Sequence, residues 1–136
     1  MPVSPPIIIP DAGPVIAALN VRDPDHAWAK MRLGSVNCPA VYITTAAIAE
    51  ATHLLQNEAR GLSTLAAFIE VMSIEDPAPS EVLSLMVRWA PRMDYADAGA
   101  VLLARRHKGA VVVTTDHRDF STYRVPFASP RGEFHG

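Results

Sequence analysis

Acidic residues recur in this sequence directly after short apolar runs. Asp11 follows Ile7–Pro10, Asp116 follows Ala110–Val113 through two threonines, and Glu50 lies in the first turns of a helix after a third run. Short continuous apolar runs are typical of the buried strands of a parallel sheet. In an open parallel α/β sheet, ligands bind beyond the carboxyl ends of the strands. We therefore expect these three acids to lie together at one edge of a sheet.

Two further acids begin a helix whose apolar face should be buried. Asp94 and Asp97 share that face, at helical spacing, with Ala98, Val101 and Ala104, and no Lys or Arg precedes them there within one turn. A buried carboxylate is costly unless it is paired or binds a cation. A hard divalent cation, Mg2+ or Mn2+, would resolve this conflict, and several carboxylates around it would suit phosphoryl chemistry.

Helix capping is an alternative role for most of these acids. Asp94 could accept backbone N–H bonds at a helix start, with Asp97 complementing the helix dipole. Asp11 and Asp116 could likewise be turn or N-cap residues. Glu50 borders the apolar stripe of its helix, so its carboxylate is expected to be half buried. Four acids at one predicted sheet edge favour a shared site.

The polar residues around Asp116 have open roles. Thr114 or Thr115 could cap the following turn or hold Asp116 through a hydroxyl hydrogen bond. Asp119 is expected to cap a short turn from His117 to Phe120, with a supporting role in the site as the alternative. The histidine of that turn is expected to be a solvated loop residue rather than a base.

The remaining pattern predicts strands that alternate with helices. Apolar runs predict strands at residues 7–9, 41–43, 71–74, 110–114 and 125–128. Capping residues and helix-ending Gly or Pro residues predict helices at 14–20, 25–32, 46–58, 63–69, 80–89 and 95–107. This alternation implies an α/β fold whose parallel sheet is covered on both faces.

Length and composition indicate a single domain over residues 1–136, with a folded core at 7–128 and a flexible, frayed tail at 129–136. The chain is 49% apolar and 19% charged, which suits a globular core. Its apolar runs are far shorter than the about 20 residues of a membrane span. Met1–Pro6 lacks Lys and Arg, so we expect no signal peptide and a cytoplasmic location. Cys38, the only cysteine, excludes an internal disulfide and a cysteine-cluster zinc site.

Basic residues are concentrated in the C-terminal part of the chain. Residues 1–87 hold 4 basic and 9 acidic side chains, whereas residues 88–136 hold 8 and 5. Ten of the twelve basic residues are Arg, which binds phosphate in a planar, bidentate manner. A nucleic-acid partner is therefore permitted, although a GC-rich genome would also favour Arg over Lys.

The chain resembles the PIN-domain ribonucleases, and among them the toxins of VapBC toxin–antitoxin pairs. The similarity covers residues 7 to 124 and rests on four segments in order: Asp11-Ala-Gly-Pro-Val-Ile-Ala-Ala-Leu19, Ile48-Ala-Glu50-Ala, Met93-Asp-Tyr-Ala-Asp97-Ala and Val113-Thr-Thr-Asp116-His-Arg-Asp119-Phe120. The resemblance implies a three-layer α/β/α domain with a parallel sheet of four or five strands in the order 3-2-1-4-5.

The resemblance also implies an activity, that of a Mg2+- or Mn2+-dependent endoribonuclease. The family's acidic quartet falls on Asp11, Glu50, Asp97 and Asp116 as catalytic and metal-binding residues. Thr114 or Thr115 takes the supporting polar position, and Asp94 is an additional acid. An acidic site repels RNA without a metal, so Arg side chains of the C-terminal half are expected to contact the phosphates. The candidates are Arg105, Arg106, Arg118 and Arg124.

The implied partners are an RNA substrate, a cognate antitoxin protein that silences the enzyme, and a second copy of the chain. Apolar residues in the helices at Asp25–Gly34 and Ser63–Ile69 favour a homodimer with a groove that could hold an amphipathic antitoxin segment.

Two other classes of protein remain as alternatives. A receiver-type signalling domain also gathers acids around Mg2+, but it needs a Lys at the end of a late strand, and Lys108 precedes its strand. A non-catalytic binding module would use the same acids only as helix caps.

Overall fold

The structure is a computed structural model that describes residues 7–34 and 40–135. The predictions made for Met1–Pro6 and Cys38 lie outside these residues. None of the described helices combines the length and the apolar character that a membrane crossing requires. The elements are β1 (Ile8–Pro10), α1 (Ala12–Leu19), α2 (His26–Leu33), β2 (Tyr42–Ile43), α3 (Thr45–Leu55), α4 (Gly61–Ile69), β3 (Ser73–Ile74), α5 (Pro79–Arg88), α6 (Tyr95–Arg106), β4 (Val111–Val113), α7 (His117–Tyr123), β5 (Phe127–Ser129) and β6 (Gly132–Phe134).

The strands form a mostly parallel sheet in the expected order. β1 pairs in parallel with β4, and β4 pairs in parallel with β5. β2 and β3 form a second parallel pair, which adjoins β1 through a single parallel bridge between Ile8 and Val41. The strand order 3-2-1-4-5 is therefore confirmed, and β6 extends it as an antiparallel edge strand.

Alternate residues of the central strands fill two separate cores, one on each face of the sheet. Ile8 and Val113 pack with α1 to α4, whereas Ile9 and Val112 pack with α5, α6 and α7. These four side chains are at most 5% exposed. Because each such residue contributes about 1.5–3 kcal/mol of burial, the two cores fix the register of the strands and the positions of the loops that follow them.

Two predictions for the C-terminal segment are wrong. Residues 129–136 were expected to form a frayed tail, yet Gly132–Phe134 pair with β5, and the Phe134 ring lies 6.1 Å from that of Phe127. Arg32 also forms an ion pair with Glu133. Backbone pairing, the ring contact and the long-range ion pair place the segment against the domain, although its short, polar sequence lacks a strand pattern. The short turn expected at His117–Phe120 is instead the first part of α7.

Candidate active site

Asp11 lies where β1 ends and α1 begins. Its N–H donates to the carbonyl of Val113 at 2.8 Å, which ties the end of β1 to the end of β4. Its Oδ1 accepts from the N–H of Ala12 at 3.0 Å, and its Oδ2 accepts from the hydroxyl of Thr114 at 3.3 Å. Asp11 is therefore the N-cap of α1, as the capping alternative proposed, and its carboxylate is also held from the neighbouring strand.

Thr114 connects Asp11 with Asp116. The Thr114 side chain is fully buried, and its Oγ1 accepts from the N–H of Asp116 at 2.9 Å. Asp116 in turn accepts from the N–H of Asp119 at 3.0 Å and caps α7. The prediction that Asp119 is the cap of this turn is thus wrong. Asp119 instead lies in the first turn, where its backbone is the donor.

Thr115 has a different role from Thr114, because it is exposed and packs against the start of α1. A Cβ atom at Gly13 would lie only 2.1 Å from Thr115 Oγ1. Gly13 therefore allows the loop after β4 to approach α1 closely. This approach keeps Asp11 and Asp116 on adjacent loops at one edge of the sheet.

Asp94 and Asp97 occupy the first turn of α6. Asp94 is the N-cap, and its Oδ1 accepts from the N–H of Asp97 at 2.8 Å, as the capping alternative proposed. The side chain of Asp97 lies in a different environment, because this residue is only 8% exposed. Its Oδ2 accepts from the hydroxyl of Tyr123 at 3.1 Å. Asp97 is therefore a nearly buried carboxylate whose described side-chain partner is a neutral phenol.

Tyr123 was not predicted as a site residue. It is buried at the end of α7, where its ring packs against Trp89 and Phe120. Burial first, and then the charge of Asp97, raise the pKa of Tyr123, so its hydroxyl stays a hydrogen-bond donor. The segment was interpreted as a turn and loop. Tyr123 lies seven residues after Asp116, so only the prediction of a helix between them could have placed Tyr123 beside the acids.

Mutual repulsion among the acids shows that they share one site. Burial raises the pKa of Asp97 to about 7, and the charges of Asp94, Asp11 and Asp116 contribute in the same direction. The pKa of Asp11 is also raised, first by burial and then by Asp94 and Asp116, against the hydrogen bonds from Ala12 and Thr114. Like charges raise carboxyl pKa values only when they lie close together. The structure thus brings together the four aspartates that the sequence placed at this edge.

Glu50 lies at the rim of this aspartate cluster rather than within it. The prediction of a half-buried side chain is wrong, because Glu50 is exposed and the buried stripe of α3 runs through Ala47, Ala51 and Leu55. Partial desolvation and then the charges of Asp11 and Asp94 nevertheless raise the pKa of the Glu50 carboxyl. Glu50 therefore lies close enough to Asp11 and Asp94 for their charges to act on its carboxyl group.

Two arginines lie beside the acids, and one of them was not predicted. Arg118 is exposed in the first turn of α7, and Arg92 approaches Asp119 at 3.7 Å. Burial raises the pKa of the Asp119 carboxyl, as does Asp116, whereas Arg92 and Arg118 lower it. Both guanidinium groups therefore lie at the edge of the acidic cluster.

The other three arginine candidates lie elsewhere. Arg106 is bound to Glu75 at 2.8 Å, and His107 contacts the same carboxylate. Arg105 and Arg106 end α6, eight and nine residues beyond Asp97, which is about 12 and 14 Å of helix. Arg124 is exposed at the C-terminus of α7 in a left-handed conformation with φ of 60°. None of these three side chains is among the charges that shift the pKa values of Asp11, Asp97 and Asp119.

The donor set fits a hard divalent cation. Carboxylate oxygens are the ligands that Mg2+ and Mn2+ prefer, and the nearly buried Asp97 and the partly buried Asp11 lack a described cationic partner. Within residues 7–34 and 40–135, no three acidic, His or Cys side chains are placed to hold one ion as they stand. Mg2+ usually keeps several of its waters in protein sites. Asp11, Asp97 and Asp116 would therefore hold such an ion together with water.

Comparison with solved structures shows which proteins share this fold. VapC20 of Mycobacterium tuberculosis, a toxin that cleaves the sarcin-ricin loop, is 23% identical with a TM-score of 0.71, over 85% of this chain and 94% of that one. PAE2754 of Pyrobaculum aerophilum is 21% identical with a TM-score of 0.60, over 85% and 84%. DNA-bound VapBC of Salmonella typhimurium is 19% identical with a TM-score of 0.59, over 87% and 92%. The fold is thus that of the VapC-type PIN domains. No protein-family model and no curated protein matches the chain.

Proposed function

We propose that the chain is a Mg2+- or Mn2+-dependent endoribonuclease and the toxin of a VapBC toxin–antitoxin pair. One observation carries this proposal: at a single sheet edge, Asp94 and Asp116 lie close enough to Asp11 and Asp97 for their charges to raise the carboxyl pKa values of both. Caps alone do not require such repulsion, because a cap can lie at any helix start. A cation-binding role explains why the repulsion is retained.

The reaction that suits these residues is hydrolysis of an RNA phosphodiester. When bound, a divalent cation supplies a water that ionises near neutral pH and neutralises charge on the reacting phosphate. Asp11, Asp97 and Asp116 would hold the ion. Thr114 orients Asp11 through its hydroxyl, and Tyr123 orients Asp97. Glu50 lies at the rim. Its carboxylate can accept a proton from water or serve as an additional metal ligand there.

RNA needs cations around such an acidic site, because its phosphates are repelled by the carboxylates. Arg118 and Arg92 lie at the site's edge and are the side chains best placed to contact the phosphates on either side of the cut. Arg105, Arg106 and Arg124 remain candidates for a longer substrate. Arg106 would first have to leave Glu75.

A cognate antitoxin and a second copy of the chain are the proposed protein partners, in the cytoplasm. Met31 of α2 is 61% exposed, and Leu54 and Leu62 of α3 and α4 are 56% and 49% exposed. Apolar side chains at this exposure suit the apolar face of an amphipathic antitoxin helix. The VapBC complex of Salmonella typhimurium, which has this fold, supports a partner of that kind.

The test is cleavage of RNA by protein purified free of antitoxin and of other nucleases. We expect cleavage with Mn2+ or Mg2+, none with EDTA, and a melting temperature that rises with Mn2+. Asp97→Asn is the matched inactive control. A chain that shows neither cleavage nor a metal-linked gain in melting temperature would be a binding module whose acids are helix caps.

A further inference from the structure

A cavity of about 300 Å3 lies between the starts of α3, α5 and α6. Thr44, Thr45 and Ala46 line it from the start of α3, and Tyr95 and Gly99 line it from α6. Asp76, Pro77 and Ala78 line it from the loop before α5, and Pro79 lines it from the first turn of α5. A Cβ atom at Gly99 would come within 3.3 Å of Thr44 Cγ2, so α6 approaches α3 closely at the base of the cavity. Its volume is at the lower end of the range found for small-ligand sites, about 300–1,000 Å3.

The cavity and the acidic site are both lined by α3 and α6, and they are neighbours on each of these helices. Ala46 and Glu50 are four residues apart on α3, so they lie on one face of that helix, one turn from each other. On α6, Tyr95 directly follows Asp94, which raises the pKa of Glu50 and Asp97. A nucleotide next to one whose phosphate lies at the acids would therefore place its base at this cavity.

The walls of the cavity suit a flat aromatic ring. Tyr95, which is 40% exposed, lines the cavity together with the small or cyclic side chains of Ala46, Pro77, Ala78 and Pro79. Bases of single-stranded RNA stack on aromatic side chains with about 1–3 kcal/mol per base. A phosphate or a free anion would be disfavoured, because Asp76 is the charged group of the lining.

Asp76 limits which base fits. An ionised carboxylate offers about four acceptor positions. Thr45 fills two of them, because its N–H donates to Oδ1 at 2.8 Å and its hydroxyl is shared between Oδ1 and Oδ2 at 3.0 and 3.1 Å. Among the described residues no other side chain donates to Asp76, so about two acceptor positions remain. Guanine presents two adjacent donors, N1–H and the 2-amino group, without an acceptor between them.

We propose that this cavity is a guanine-binding site for the RNA nucleotide next to the scissile phosphate. Tyr95 stacks on the base, and Asp76, held by Thr45, accepts from N1–H and the 2-amino group. The site rests on the proposed ribonuclease function and adds a base preference to it. Its specificity-determining residue is Asp76, which lies outside the acidic cluster.

The experiment compares single-stranded oligoribonucleotides cut by the full-length protein in Mn2+. Cleavage of a random-sequence pool, read by sequencing of the new ends, should show guanine enriched at one position beside the cut. Replacing that guanine by inosine, which lacks the 2-amino group, should slow cleavage about tenfold. Replacing it by 7-deazaguanine, which keeps both donors, should leave the rate unchanged.

Variants connect this preference to the cavity. Asp76→Asn should cleave guanine and inosine substrates at similar rates, because one acceptor oxygen is replaced by an amide donor. Tyr95→Ala should slow cleavage of every substrate, whereas Tyr95→Phe should not. Circular dichroism melts verify that Asp76→Asn folds. The comparison of inosine with 7-deazaguanine on the wild-type protein needs no variant.

The outcomes separate the two proposals. Cleavage in Mn2+ with no base preference, with another base enriched, or with inosine as good as guanine, overturns the guanine site and leaves the ribonuclease proposal standing. Absence of metal-dependent cleavage overturns the proposed function, and the guanine site with it.

Discussion

The hydroxyl of Tyr123 donates a hydrogen bond of 3.1 Å to Oδ2 of Asp97, which joins the last turn of α7 to the first turn of α6. This bond favours the ionised form of the carboxyl, against burial and the charges of Asp94 and Asp11. The result of these opposing effects is a pKa of about 7, so the carboxyl of Asp97 ionises near neutral pH. The first two predictions follow from this balance.

Asp97→Asn should stabilise the metal-free protein as the pH rises. The folded-state pKa of Asp97 is raised from 3.8 to about 7. Protonation of this carboxyl therefore favours the folded state, and this stabilisation is fully present below about pH 4 and is lost as the pH rises through 7. The difference in unfolding free energy, variant minus wild type, should therefore grow over this interval by up to about 4 kcal/mol. Urea unfolding in EDTA at several pH values measures it. Cleavage should fall by several orders of magnitude, and a pH-independent difference, or an active variant, would contradict the assignment.

Tyr123→Phe should raise the pKa of Asp97 further, because it removes the hydrogen bond that favours the charged form. The rise of the cleavage rate with pH should move to higher pH, while the maximum rate falls less than in Asp97→Asn. Stability should drop by about 1 kcal/mol, since the ring contacts with Trp89 and Phe120 are kept. A pH–rate profile that superimposes on that of the wild type would show that Tyr123 only packs.

Thr114→Val should weaken both the fold and the site, because the buried hydroxyl serves Asp11 and the N–H of Asp116 together. We expect a loss of about 1–3 kcal/mol in unfolding free energy and weaker stabilisation by Mn2+. Thr115→Val is the matched control, since the Thr115 side chain is exposed and its hydroxyl holds neither acid. Equal effects of the two changes in thermal melts with and without Mn2+ would be the contrary result.

Gly13→Ala should destabilise the protein by about 1–3 kcal/mol through overpacking. The new Cβ would meet Thr115 Oγ1 at 2.1 Å. Adding Thr115→Ala should recover part of the loss, because the nearest remaining atom, Thr115 Cβ, lies at 3.3 Å. Gly99→Ala, whose Cβ would meet Thr44 Cγ2 at 3.3 Å, is the milder comparison. If the effects of Gly13→Ala and Thr115→Ala on unfolding free energy are additive in a double-mutant cycle, the contact between residues 13 and 115 is not the cause of the loss.

Truncation after Pro130 should destabilise the domain by about 1–3 kcal/mol, because it uncovers Phe127 and removes the Phe134 ring beside it. Glu133→Gln, which removes only the charge opposite Arg32, should cost less than about 1 kcal/mol because that ion pair is partly exposed. A truncated protein that unfolds at the same urea concentration as the full chain would restore the description of this segment as a tail.

The sequence predicted best what is encoded locally. The β-branched runs before Asp11 and Asp116 indicated β1 and β4 to within two residues, because such runs must be buried on both faces. The spacing of Asp94 to Asp97 indicated the capping alternative, which the structure shows. β6 was missed because its strand character comes from pairing with β5 rather than from its own residues. Tyr123 was missed because its contact with Asp97 depends on α7, which was interpreted as a turn. The sequence did not decide whether Thr114 or Thr115 supports the aspartates, because this depends on which of the two side chains faces inward.

The division of the acids between caps and interior positions affects which inactive alleles can persist in a population. Asp11, Asp94 and Asp116 each engage a helix start with one carboxylate oxygen, so most replacements there also loosen the fold and expose the chain to proteolysis. Asp97 and Glu50 cap nothing. If the proposed toxin function holds, cells that survive its expression and still accumulate the whole protein should therefore carry changes mainly at these two codons. Such inactive copies would still bind the proposed antitoxin.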